Sequence, residues 1–338
     1  MAAVHSILPE LWFVLLGFIL LLYTVLDGFD LGVGILSLFI RDEERRGILM
    51  GSLGTIWDAN ETWLVLFGGI IFGAFPVVYG LVMSSLYLPL VLMLVGLIFR
   101  AVSFEFRVHA ADKRRWSLAF GWGSVAAATG QGFAFGGLLW GINIVGFKFV
   151  GGVLDWFTPF SIIVTIGVLA GYSLIGATYI IMKTEGELQA IARRLGFRAV
   201  FITVACAVVD TVFAVLKYPF LMDKWFRFPG MLVTAIPFLI CAIAFVWMFN
   251  GMLKGRDRAP FFSALVFAFF GYVALSANYF PIIIPPSVTI YQAAAEPYTQ
   301  RFMLIAVGIF LPFLLAYNLF QYWVFRGKVT GNLYEEDE

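Results

Sequence analysis

Residues 9–40 read PELWFVLLGFILLLYTVLDGFDLGVGILSLFI. A helix needs roughly 20 apolar residues to cross a bilayer. This run exceeds that, and its only charged members are Glu10, Asp27 and Asp30. It reads as a membrane span longer than the bilayer requires, which tilts or protrudes. The run is too long for a signal peptide and no small-residue cleavage site follows it, so it is expected to stay as the first span.

The whole chain agrees with that stretch. Apolar residues make up 62% of the 338 residues and charged ones 13%, against about a quarter charged in a soluble domain. Mean hydropathy is +0.94. Aromatics reach 18%, with 37 Phe and 10 Trp, which suits lipid-facing helices with interfacial anchors. A net charge of +1 offers nothing to nucleic acid. The pattern predicts an all-α integral membrane protein in one membrane domain, residues 1–338. Its nine transmembrane helices run about 9–40, 50–75, 79–103, 116–143, 158–183, 198–217, 230–250, 258–280 and 301–326. Pro76 leaves a short turn between the second and third. Tyr23-Thr24 and Tyr172-Ser173 sit at similar depths in the first and fifth spans, each followed by an acidic loop and paired arginines. That faint echo divides the chain into two four-helix bundles, about 9–143 and 158–280, plus one extra helix at 301–326.

Lys and Arg in the loops set the orientation. One side holds 16 of them: Arg41, Arg45, Arg46, Arg107, Lys113, Arg114, Arg115, Lys183, Arg193, Arg194, Arg198, Lys254, Arg256, Arg258, Arg326 and Lys328. The other holds five: Lys148, Lys217, Lys224, Arg227 and Arg301. The rule places the N-terminus outside and the acidic tail Glu335–Glu338 in the cytoplasm.

Charge inside a bilayer is costly, so intramembrane ionisable residues are functional candidates. Asp27 and Asp30 lie in LDGFDLGVG (26–34), Asp58 and Glu61 in WDANETWLV (57–65), and Arg100 and Glu105 in FRAVSFEFR (99–107). At 1.5 Å per residue, Asp30 is expected about 15 Å and Asp58 about 12 Å from the cytoplasmic end of its helix. Asp58 and Glu61, three apart, share a face with Thr62. Two readings fit. In one, the carboxylates, Thr62 and water form a proton path from the cytoplasm, biased by Arg100. In the other, a buried Asp–Arg pair locks three helices together. Both hold at once if the pair also binds a proton. Gly28 and Gly32 allow close helix approach. Gln131, Asn143, Asp210, Asn250 and Asn278 read as interhelical hydrogen-bonding groups, and Cys206 and Cys241 as buried packing residues.

No Walker loop, HExxH, CxxC or CxxCH occurs, so nothing supports ATP-driven transport, a zinc site or covalent heme. The only histidines, His5 and His109, lie near predicted helix ends, away from any mid-membrane heme.

The three charged motifs, together with GYSLIGATY (171–179) and PPS (285–287), resemble subunit II of the cytochrome bd quinol oxidases. The likeness runs over essentially the whole chain, and WDANETW is most similar to the cyanide-insensitive branch. The resemblance implies a pseudo-symmetric partner, subunit I, carrying two hemes b, one heme d and the quinol-oxidising loop, which would explain the scarcity of histidine here. It implies quinol oxidation on the outer side of the bacterial inner membrane and reduction of dioxygen to water with cytoplasmic protons. Carried over by motif, Asp30, Asp58 and Arg100 would line the proton path, with Asp27 and Glu105 beside them. Some members of the family hold a structural quinone in subunit II or add a small single-helix subunit. The alternative from another class is a proton-coupled secondary transporter. Such proteins show broken helices at the midplane, whereas these spans read as continuous with charges at one end.

Overall fold

The computed structural model describes residues 7–329; His5 and the acidic tail lie outside them. Helix α1 (Leu8–Ser37) carries Pro9 in its first turn, where a missing N–H is tolerated. It ends three residues earlier than the apolar run, where Ser37 turns its hydroxyl onto the Gly34 carbonyl at 2.7 Å.

The second predicted span is not one helix. It divides into α2 (Glu43–Leu53) and α3 (Trp57–Ala74). Gly51, Gly54 and Thr55 are weak helix formers, and Ile56 leaves the helical region at φ −127°. The third is divided too, into α4 (Pro76–Ser85) and α5 (Tyr87–His109). Pro89 has no N–H to close a turn onto Ser85, and the chain leaves the helix at Leu86 (φ −117°, ψ 19°). Between α3 and α4 the axis bends by 118°, because Pro76 drives Phe75 out of the helical region (φ −134°, ψ 64°). The expectation of continuous spans therefore fails in this part of the chain.

Beyond α5 come α6 (Lys113–Trp140), the ribbon β1–β2 (Ile144–Val145, Lys148–Phe149), α7 (Pro159–Lys183), α8 (Gly186–Lys217), α9 (Phe220–Phe226), α10 (Gly230–Leu253) and α11 (Ala259–Tyr279). A second ribbon pairs β3 (Ile282–Ile284) with β4 (Val288–Thr289), and Pro285-Pro286-Ser287 forms its turn. The short α12 (Ile290–Ala293) leads into α13 (Pro297–Val324). Among the described residues seven helices are long and apolar enough to cross a membrane: α1, α5, α7, α8, α10, α11 and α13. The bent α3–α4 pair passes the same test when taken as one. The chain is an all-helical, multi-pass membrane protein.

Helix α1 is central and packs on α3, α6, α7 and α11. The two stretches expected as separate bundles meet along α1–α7 and α6–α7. Glycine permits that closeness. A Cβ at Gly32 would lie 1.9 Å from the Tyr172 carbonyl oxygen, and one at Gly176 would lie 2.5 Å from the Gly32 carbonyl carbon. Deeper in the core, Phe29 stacks on Tyr179 with centroids 4.5 Å apart.

Helix α13 is attached differently, with only 6% of its apolar window buried. One face, with Met303, Leu304, Val307, Leu311, Leu314 and Leu315, packs on the core, and hydrogen bonds add to that hold. Trp12 Nε1 donates to the Gln300 carbonyl at 3.3 Å, and Trp63 Nε1 to Asn318 Oδ1 at 3.2 Å. Past its end, Lys183 Nζ donates to the carbonyls of Phe325 and Gly327. Lys328 then bridges Glu185 (2.9 Å) and Asp257 (2.7 Å). Asp257 also accepts from Gln189 at 3.0 Å and Arg193 at 3.3 Å. The bond from Lys328 holds the Asp257 carboxyl below the usual carboxylate range, and Asp257 in turn raises Lys328.

Two outcomes are expected. Gly32→Ala puts a methyl into a backbone oxygen, so the α1–α7 contact opens at a cost of about 1–3 kcal/mol; the thermal midpoint of the purified protein falls accordingly, whereas Gly68→Ala, facing open space, leaves it unchanged. The Lys328–Asp257 strap has a pH window. Asp257's contribution is present above the unfolded carboxylate value of about 3.9 and is lost as pH falls through its lowered folded value. Lys328's is present below about 10.4 and is lost as pH rises through its raised folded value. Protection of residues 325–329 from hydrogen exchange, taken relative to the intrinsic rate at each pH, should be high at neutral pH and lost at either extreme, and Asp257→Asn should abolish the acid limb.

Candidate functional site

Arg100 is wholly buried on α5. Its Nη1 donates to Asp27 Oδ1 on α1, and its Nη2 reaches Glu61 Oε2 on α3 at 3.1 Å. One guanidinium thus ties three helices together. Asp27 is fully buried, while the Glu61 side chain is 24% exposed. Asp30, three residues beyond Asp27 and also fully buried, lies beside this triad and is held by Asn60. The Asn60 amide donates to Asp30 Oδ2 at 2.9 Å and to the Leu26 carbonyl at 3.3 Å. Its oxygen accepts from the Tyr322 hydroxyl of α13 at 2.7 Å. The second oxygens of Asp27 and Asp30 and the Arg100 Nε make no hydrogen bond within the described residues.

A second polar string starts one turn before Asp27. Tyr23 accepts from Gln131 Nε2 of α6 at 2.6 Å, and the Gln131 oxygen accepts from Tyr172 of α7. This is the interhelical bonding expected of Gln131, and it places the two residues of the sequence echo, Tyr23 and Tyr172, on the same amide.

The structure brings Asp27, Asp30, Glu61 and Arg100 into one cluster, and it leaves Asp58, Thr62 and Glu105 exposed outside it. Asp58 is the second residue of α3, not eight residues into a helix. There its charge meets the free N–H groups of a helix start. The Thr62 hydroxyl donates to the Asp58 carbonyl at 3.0 Å. Ala59, Asn60, Trp63, Ile70, Ile71 and Ala74 form the buried face of α3. Helical phase turns Asp58, Glu61 and Thr62 all away from that face, and of the three Glu61 enters the cluster, through its ion pair with Arg100. Asn60 escaped the sequence reading, although the apolar stripe through Trp63 carries the signal for it. Tyr322 escaped as well, and no local pattern marks it. Arg107, expected as a loop charge, is 4% exposed. It reaches Glu43 Oε1 of α2 at 3.0 Å and Ser117 Oγ of α6 at 2.9 Å.

The family model described as cytochrome bd terminal oxidase subunit II matches residues 8–325. The chain belongs to this family. Its relatives include subunit 2 of the cytochrome bd-I ubiquinol oxidase of Escherichia coli strain K12, 28% identical over 96% of either chain. Subunit 2 of the Bacillus subtilis strain 168 cytochrome bd ubiquinol oxidase is 29% identical over 98% of either chain. Among solved structures, the bd oxidase of Geobacillus thermodenitrificans matches with a TM-score of 0.77 at 20% identity, covering 95% of this chain and 99% of that one. The chain is thus a terminal oxidase subunit, part of an oxidoreductase complex.

Among the described residues, heme does not fit the donors that this subunit II chain offers. His109 is exposed at the end of α5, beside the Glu105 carbonyl. The buried methionines Met50, Met248 and Met252 are packed within one apolar core and Met93 within another.

Arg100→Ala is expected to be the most damaging single change in the cluster. It strands the buried Asp27 carboxyl and the partly buried Glu61, at about 3–5 kcal/mol for a broken buried pair. The yield of intact complex should fall, and Arg100→Lys should restore it only in part, because one ammonium does not span both carboxylates as the guanidinium fork does.

Proposed function

We propose that this chain is the heme-free subunit II of a bd-type quinol:oxygen oxidoreductase, which scaffolds the heme-bearing subunit I and helps carry cytoplasmic protons toward the oxygen-reducing site. The charge imbalance of the cluster carries this reading. Arg100 alone faces three carboxyl groups, and a low-dielectric interior does not hold the surplus negative charge without protons. Glu61 is the member open to the outside of the chain. It leads from the uncovered side of α3 to the guanidinium, and Asp27 and Asp30 lie behind. Asp58 and Thr62 extend the polar line outward along α3, and Glu105 stands nearby in sequence to Arg100 on α5.

An exposed carboxylate on a membrane helix does not face lipid. Asp58, Thr62, Val65, Gly69 and Phe72 form one exposed helical stripe, and subunit I is the partner proposed to cover it. Hemes b and d belong to that partner, quinol is the electron donor, and four protons with four electrons reduce one dioxygen to two waters. A structural quinone, lipids and a small single-helix subunit are further components that family members recruit. The chain is read as nine spans, with the bent α3–α4 pair and α6 completing the count. Two four-helix units and α13 make up the fold, in the bacterial inner membrane with the N-terminus outside and the C-terminus cytoplasmic. The transporter alternative is not favoured, since the matched family and the relatives are oxidase subunits.

Asp58→Asn tests the path. The complex should assemble with its normal reduced-minus-oxidised heme spectrum and consume oxygen about a hundredfold more slowly, the low end for loss of a proton-transferring group. Native turnover in a normally assembled complex would remove Asp58 from the path.

A further inference from the structure

We propose that Tyr322 of α13 is a positioning residue for Asp30, acting through the Asn60 side chain; this rests on the proton-path reading above. The geometry is a relay of three side chains from three helices. Tyr322 donates to Asn60 Oδ1 at 2.7 Å, and Asn60 Nδ2 donates to Asp30 Oδ2 at 2.9 Å. A carboxamide has one accepting and one donating end. Whatever occupies the oxygen end decides which end faces Asp30. A tyrosine hydroxyl can donate or accept; because the Leu26 carbonyl and Asp30 take the N–H groups of the amide, the Tyr322 hydroxyl donates, and so holds the oxygen toward α13 and the N–H toward the carboxyl group. The second N–H interaction, with the Leu26 carbonyl, fixes the plane of the amide.

Without the hydroxyl, Asn60 Oδ1 is a buried acceptor with no partner, which is costly. The amide then gains by turning its oxygen toward a protonated Asp30, which can donate to it. Tyr322 thus selects the amide orientation that favours an ionised Asp30. The other charged or titratable groups around Asp30 are Asp27 on α1, Glu61 on α3, Arg100 on α5 and Tyr179 on α7. Tyr179 is committed to the Ser52 carbonyl at 2.8 Å, and Arg100 to Asp27 and Glu61. The Asn60 amide is the one hydrogen-bond partner that Asp30 shows among the described residues. Because α13 otherwise buries little of itself, the ninth helix reaches the carboxylate cluster through this hydroxyl.

Tyr322→Phe keeps the ring, which sits edge-on to Phe29 at 6.4 Å, and removes only the donor. In the purified complex, with heme content as the assembly control, the pH profile of oxygen consumption should move toward alkaline pH by about one unit, the size of one charge-assisted hydrogen bond. Asn60→Ala, which breaks the relay at its centre, should move it the same way. In an Asp30→Asn background, Tyr322→Phe should change nothing further. The proposal is overturned by a native profile in Tyr322→Phe, by a shift that persists without Asp30, or by loss of assembly in both single variants. Its failure separates cleanly from that of the proton path. Native turnover and profile in assembled Asp30→Asn would sink the path and this inference together. Slow Asp30→Asn with an unshifted Tyr322→Phe would sink this inference alone.

Discussion

The fold depends on one guanidinium. Arg100 is buried completely and binds carboxylates from two other helices, so α1, α3 and α5 have one workable mutual register. A slip of a single residue along any of them would leave ions of both signs uncompensated in an apolar medium, where each costs several kcal/mol. Packing alone is less selective between membrane helices, because lipid is as apolar as the side chains it replaces. The glycine contacts between α1 and α7 then set how near the second half of the chain approaches this fixed frame.

Around that frame the polar groups form a graded series. Arg100 and Asp27 are sealed, Glu61 is partly open, and Asp58 and Thr62 stand on the outer side of α3. Asp30 lies beside the series and is connected to α13 rather than to Arg100. A carboxylate cluster that served only to clamp helices would have no use for an open member or for an excess of acids over bases. Under the proposed function the same side chains would both hold the helices and carry protons, so that the helix-locking and proton-path readings of the sequence are compatible at one site.

Much of this was legible in the residues themselves. Long apolar runs announced a membrane protein, and the rarity of charge within them singled out Asp27, Asp30, Glu61 and Arg100. The boundaries were less legible. Spans drawn through 50–75 and 79–103 ignored what Pro89 and the Gly54-Thr55 pair do to a helix, and the depth assigned to Asp58 inherited that error. Helical phase along α3 was available in Trp63 and its apolar neighbours, and it separates Asn60 from Asp58. Tyr322 was beyond reach. It lies 262 residues from its partner Asn60, and nothing local distinguishes it from the other aromatic residues of α13.

The distribution of the central ion pair along the chain also bears on biosynthesis. Helices leave the ribosome in order, so α1 and α3 reach the membrane with Asp27 and Glu61 before α5 delivers Arg100. During that interval the acids have no cation of their own to meet. Until the guanidinium arrives, the acids of α1 and α3 are cheapest to hold protonated or hydrated. A chain truncated ahead of Arg100 would carry Asp27 and Glu61 without the counter-ion that both share in the folded protein.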